Sequence, residues 1–264
     1  MHQWQWRTRN GTQFLTCDLL DRWPHGFFTR QAWPQTPHEL VEKVHPTAEV
    51  LRVKQVHGNT VLSASQVKAQ RVPEDFSYPD ADGVYSDAQH QSLWVCSADC
   101  TPVLIADART GRVAAVHAGW RGTAARIVPE AIARLLDQGS QLEHLLVAMG
   151  PAIEGRVYQV TQEVAETVAR SIQDWVAGPA ASRTASLTAA LLAMENSPLG
   201  VDDQPGRVKL DVRRVNALQL ELLGLDAGQI SIAPHCTYQA PHQFFSYRRD
   251  GLKKVQWSGI VSQE

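Results

Sequence analysis

Short apolar runs of strand length recur along this chain, with segments of helical periodicity between them, and that alternation narrows the fold more than any other feature. Residues 51–56, 93–96, 102–106, 113–117, 145–149 and 229–233 read as buried strands. Residues 113–116 contain no polar side chain, as a strand covered on both faces requires. Nearer the C-terminus, 244–248 and 254–259 are strand-forming runs of mixed polarity. Residues 123–136 carry Ala124, Ile127, Val128, Ala131 and Leu135 at helical spacing. Pro129 falls inside that pattern, which puts it in a first turn or at a kink. A second helix is predicted over 161–176, where Thr161 is a capping residue and Val164, Val168, Ile172 and Val176 repeat every four positions. Glu163 and Glu166 favour its N-terminal end. Residues 184–193 and 212–223 complete the helical set.

Stretches 71–82 and 196–206 are rich in Pro, Asp and Gly, and read as surface excursions from a single domain spanning residues 1–264. The mixture predicts an α/β (α+β) fold in which helices cover sheet layers. Its 25 basic and 27 acidic residues leave no cationic excess for nucleic acid or an anionic membrane. No run approaches the roughly 20 apolar residues of a membrane span. The first residues lack a signal-peptide core, so the expected setting is the cytoplasm. Cys17, Cys96, Cys100 and Cys236 are too sparse for a disulfide framework, which fits a reducing compartment. A compact monomer is expected.

In three places a predicted strand ends in His or Cys beside Gly, Asp or Pro. They are Lys54-Gln55-Val56-His57-Gly58-Asn59, Cys96-Ser97-Ala98-Asp99-Cys100-Thr101-Pro102 and Val116-His117-Ala118-Gly119-Trp120-Arg121-Gly122. Strand ends are where a rigid scaffold holds reactive groups. His57, Cys100 and His117 together would make a His2Cys set suited to Zn2+, with the fourth tetrahedral position open for catalysis. Two satisfied core histidines and an inert thiol would leave the same residues in the sequence. Only the fold can bring His57 beside Cys100.

The blocks KQVHGN, DADGVYS, SADCTPVLIAD, AAVHAGWRGT and FFSYRRDG resemble, in order, those of a bacterial family of metal-dependent purine nucleoside phosphorylases that also carries a laccase-like, polyphenol oxidoreductase label. The resemblance implies a layered α-β-β-α sandwich with mixed sheets, shared with cytotoxic-necrotizing-factor and YfiH-like proteins. It implies metal ligation by His57, Cys100 and His117, with zinc expected over copper. It also implies phosphorolysis of adenosine, inosine and 5'-methylthioadenosine to base and ribose 1-phosphate, with adenosine deamination beside it. Multicopper oxidases need several centres with many His ligands, and only His57 and His117 of the ten histidines fall in the matching blocks. The H-x-E and P-C-x-x-C signature of zinc deaminases is absent.

Among the neighbours, Arg121 is expected to clamp phosphate or to pair with a carboxylate such as Asp99. Arg248 and Arg249 offer a second anion site, and strand alternation would aim one of them at it. Gln55 would touch a base edge or bond backbone; Asp82 would bind substrate or make a turn. Asp99 is a candidate to orient a ligand His or Arg121. Cys96 and Cys236 are assigned to the core, and His235 is not expected to reach the metal. The catalytic assignment is Cys100, His117 and Arg121, with Gln55, Asp82, Arg121 and Arg248 on the substrate. Rival readings are a Cys100–His117 thiol hydrolase or amidase acting on a cell-wall precursor, a copper-dependent polyphenol oxidase, and a non-catalytic metal-binding protein.

Overall fold

A computed structural model describes residues 2–71, 77–176 and 187–263. Its strands in chain order begin with β1 (Trp4–Arg9), β2 (Thr12–Cys17), β3 (His25–Phe28), β4 (Glu49–Arg52) and β5 (Val61–Ser63). Next come β6 (Gly83–Tyr85), β7 (Gln91–Ser97), β8 (Thr101–Asp107), β9 (Val113–Ala118) and β10 (Leu145–Met149). The last are β11 (Gln159–Thr161), β12 (Leu199–Val201), β13 (Arg207–Leu210), β14 (Ile230–Ile232) and β15 (Gln256–Val261). The helices are α1 (Pro37–Leu40), α2 (Ala64–Gln70), α3 (Trp120–Ala124), α4 (Ile127–Asp137) and α5 (Gln162–Ala169). After them come α6 (Gln173–Val176), α7 (Leu187–Leu192), α8 (Val212–Leu223) and α9 (Tyr247–Asp250).

Two six-stranded mixed sheets, ordered β1-β2-β3-β15-β7-β4 and β14-β10-β8-β9-β6-β5, pack face to face. The period of two sorts their side chains. Leu93 and Val95 of β7, Leu104 and Ala106 of β8, and Val113 and Ala115 of β9 point into the seam between the sheets. Val103, Ile105, Ala114 and Val116 point outward onto Ile127, Val128, Ala131 and Leu135 of α4 and Ala217 and Leu220 of α8. On the opposite flank Phe14, Phe28 and Trp94 are covered by Leu40 and Val41. The layers are therefore helix, sheet, sheet, helix, as the sequence blocks imply. A third, antiparallel sheet, β11-β13-β12, packs with α5 and α7 and the far side of α8. Among the described residues, no helix is long and apolar enough to cross a membrane.

Several predictions about elements are corrected by this structure. Residues 244–248 form no strand: Ser246 caps the turn α9 by accepting from the Arg249 N–H, and Gly251 closes it at φ +64°. The 123–136 helix is two, α3 and α4, separated by Arg126 at φ +60°, and Pro129 sits in the first turn of α4. The 196–206 excursion contains β12. In the 161–176 segment Thr161 caps α5 as expected, its side chain accepting from the Val164 N–H. Parts of two expectations, residues 72–76 of the loop and 184–186 of the helix, lie outside the described residues.

Candidate metal centre

The centre is built on a hairpin. In the antiparallel β8–β9 pair, Thr101 faces Ala118 and Pro102 faces His117. Continuing that register by one residue puts Cys100 opposite Gly119, so the spacing from Cys100 to His117 is hairpin geometry. His117 falls on the parity of Val113 and Ala115, the seam side, where β9 ends. A Cβ on Gly119 would stand 2.9 Å from Cys100 Sγ and 3.4 Å from His57 Cδ2, so any larger residue there would have to displace the thiol. One on Gly122 would meet the Gly58 carbonyl at 2.9 Å, which explains how α3 lies so close to the His57 loop.

Strand β6 pairs with β9 through Gly83 opposite Val116, which places Asp82 beside His117. The His117 N–H donates to the Asp82 carbonyl at 2.8 Å. The Asp82 side chain, wholly buried, accepts from His117 Nδ1 at 2.9 Å. It also accepts from the backbone N–H groups of Val56, His57 and Gly58 at 3.2, 2.9 and 2.6 Å. One carboxylate thus shapes the loop that carries His57, itself at φ +62°, and fixes the His117 ring so that Nε2 is the nitrogen left to the cluster. Burial opposes the Asp82 charge, but these donors win and hold the carboxyl below its usual range.

The result is a cluster in which ligand atoms of His57, Cys100 and His117 lie within 4.8 Å of one another. His117 is buried, Cys100 half-buried and His57 exposed, so the cluster opens on one side. The two imidazoles meet edge to face at 4.8 Å. Burial alone would push the Cys100 thiol up. Hydrogen bonds from His117 and His57 overcome it and bring the thiol down to about 6. Among the described residues this is the one group of three or more such donors able to hold a metal. The histidines and the thiol are therefore brought together, and the reading as separate core residues fails.

The supporting residues divide. Arg121 is exposed, stacks on Trp120 at 4.4 Å and pairs with no carboxylate among the described residues. The Arg121–Asp99 pairing does not form, because Asp99 accepts from Thr237, Ser246 and the Arg248 backbone. Arg248 lies over the Tyr158 ring at 4.7 Å and donates to the Gln159 carbonyl. Arg249 is spent on the carbonyls of Thr237, Tyr238 and Phe244 and on Asp250. Gln55 uses both ends of its amide on the Cys96 backbone, joining the His57 loop to β7. Asp82 sits behind His117 and the His57 loop and bonds to both, leaving its carboxylate oxygens engaged there. His235 packs edge-on against Trp6 and Phe244, away from the cluster, as expected.

Sequence reasoning missed Tyr158. Burial and then the Cys100 charge push its phenol up to about 12, while Arg248 and Arg121 act the other way. Tyr158 therefore lies in the field of the cluster and of both arginines. It follows a short turn with no strand or helix periodicity, and nothing in its local sequence marks it.

Fold and site define an α+β double-sheet protein with a candidate His2Cys metal centre where the β8–β9 hairpin meets the loop between β4 and β5. The chain belongs to the family described as "Multi-copper polyphenol oxidoreductase laccase", whose model matches residues 35–261. It is 51% identical over 262 residues to the purine nucleoside phosphorylase slr1573 of Synechocystis sp., covering 98% of this chain and 97% of that one. It is 34% identical over 205 residues to the purine nucleoside phosphorylase Rv2149c of Mycobacterium tuberculosis, covering 78% and 69%. The crystal structure of YlmD from Geobacillus stearothermophilus has the same fold, with a TM-score of 0.78 at 24% identity over 98% of this chain and 99% of that one. Bacillus licheniformis YfiH is similar, with a TM-score of 0.76 at 23% identity over 98% and 99%.

Proposed function

We propose that this protein is a zinc-dependent purine nucleoside phosphorylase. It cleaves adenosine, inosine and 5'-methylthioadenosine with phosphate to give the base and ribose 1-phosphate, and it deaminates adenosine as a second reaction. The observation that carries the reading is the convergence of His57, Cys100 and His117 within 4.8 Å behind an open face. The names of the relatives support the substrate class. One thiolate and two imidazoles fit zinc, a borderline-soft ion that takes N and S donors and leaves a fourth position free with three protein ligands. A multicopper oxidase would need further centres, and the described residues form one cluster. Zinc bound there supplies Lewis acidity.

The chain's own groups do the rest. Asp82 locks the His117 ring and the His57 loop. Arg121 and Arg248 hold phosphate so that its oxygen attacks the ribose C1′ while the bond to the base breaks and the base leaves with the electron pair. The protein acts as a monomer in the cytoplasm, where its four unpaired cysteines stay reduced.

A second reading has its own support. Cys100, lowered by His117 that is backed by Asp82, has the layout of a thiol nucleophile, base and orienting carboxylate, suited to amide hydrolysis. The experiment is incubation of purified protein with adenosine or inosine, with and without phosphate, followed by product identification. Phosphate-dependent base release that Cys100→Ala abolishes together with bound zinc is expected. Phosphate-dependent cleavage of inosine by zinc-free Cys100→Ala would overturn the reading. Inhibition by a thiol reagent in metal-free protein, with no effect of chelators, would favour the hydrolase.

A further inference from the structure

We propose that Asp99 is a positioning residue that ties the Cys100 thiol and the Arg248 side chain into one unit. The inference rests on the reading above, in which Arg248 holds phosphate. Asp99 directly precedes Cys100 and has φ +87°. Its left-handed backbone sets the direction in which the chain enters β8, and so where Sγ points. Its carbonyl accepts from the Ile153 N–H at 3.0 Å, pinning the turn from the β10 side.

The side chain reaches the other way, into the C-terminal segment. Oδ1 accepts from Thr237 Oγ1 at 2.6 Å. Oδ2 accepts from Ser246 Oγ at 3.0 Å and from the Arg248 N–H at 2.7 Å. Asp99 is only 9% exposed and has no ion-pair partner among the described residues. A buried carboxylate answered by neutral donors alone is costly to keep. Here it does something no apolar residue would do: it roots the backbone of Arg248 one bond away from a candidate metal ligand. From that root the Arg248 guanidinium reaches Tyr158 and the Gln159 carbonyl. Tyr158 in turn lies in the field of Cys100. The carboxylate thus links the residue before Cys100 to the Arg248–Tyr158 pair.

The test compares Asp99→Gly, Asp99→Asn and Arg248→Ala with wild type. Glycine accepts the positive φ and so isolates loss of the side chain. Asparagine also tolerates this backbone, keeps one acceptor oxygen toward Ser246 and Arg248, and can turn its amide toward Thr237. Asp99→Gly is expected to keep zinc and raise the phosphate KM about tenfold with a smaller change in kcat. Asp99→Asn should restore most of that loss, and Asp99→Gly should add little on top of Arg248→Ala. An unchanged phosphate KM, or effects that multiply in the double variant, overturns the proposal. If Asp99→Gly fails to accumulate, Ser246→Ala removes one of the two links to Oδ2 and should shift the phosphate KM in the same direction; no shift overturns the proposal.

Inorganic phosphate binding, read as a shift in melting temperature without nucleoside, separates this inference from the proposed activity. Wild type with no turnover refutes the activity. A phosphate shift in wild type that is lost in both Asp99→Gly and Arg248→Ala still supports the coupling. An equal shift in all proteins, or none in wild type, overturns it.

Discussion

Gly119→Ala offers a sharp test of the geometry, because it adds one methyl group at a known place. The backbone there has φ −77°, which alanine adopts freely, so the effect must come from contact. The new Cβ would stand 2.9 Å from Cys100 Sγ and 3.4 Å from His57 Cδ2. The sulfur contact is about 0.5–1 Å inside ordinary van der Waals distance. The thiol can rotate away, but the displacement exceeds the tolerance of about 0.2 Å within which metal–ligand distances hold. Zinc affinity is expected to fall about 10–100-fold, on the scale seen when ligand geometry is disturbed. Global stability should fall by only about 1–2 kcal/mol, from overpacking and a poorer helix N-cap. Competition of the folded protein against a chromogenic zinc chelator reads the first quantity, and urea unfolding of the metal-free protein reads the second. A Gly119→Ala protein that binds zinc as tightly as wild type would refute the placement of Cys100 beside Gly119.

Asp82→Asn presents an N–H2 group to a pocket of donors, so metal-free stability should fall by roughly 2–4 kcal/mol and zinc affinity about 10–100-fold; unchanged values in denaturation and chelator competition would count against the carboxylate as organiser of the loop. His25 is buried, accepts from the Cys17 N–H at 2.9 Å through Nε2 and donates to the Trp23 carbonyl through Nδ1. Burial pushes its pKa below 6.5, so below that pH the unfolded chain takes up a proton that the native one refuses, and stability falls as pH drops toward the lowered folded value. His25→Gln lacks this penalty; its stability deficit against wild type should shrink between pH 7.5 and 5, and a constant deficit would contradict the assignment.

The sequence made some parts of this molecule legible and hid others for physical reasons. β8, β9 and β10 were readable because the middle of a strand covered on both faces is a continuous apolar run, polar residues being confined to the ends. His57, Cys100 and His117 were grouped by the resemblance of their sequence blocks and not by spacing. For Cys100 and His117 the physical reason is the β8–β9 hairpin, which converts their separation into proximity. His57 reaches the cluster on a loop held by Asp82, a contact across 25 positions that no local pattern encodes. Residues 244–248 misled because Phe and Tyr favour strands, whereas the backbone there is settled by the Ser246 cap and by Asp99. The β11-β13-β12 sheet has strands of three or four residues with mixed burial, too short to set up an alternation. Arg126 at positive φ splits a continuous helical pattern, and arginine gives no warning of that conformation.

The central claim is that three side chains hold a single zinc ion. Element analysis of protein purified without added metal, wild type beside Cys100→Ala, tests it directly. One zinc per wild-type chain and almost none in a folded Cys100→Ala chain is the predicted result. Equal zinc in both proteins, or several copper ions per chain, would contradict it.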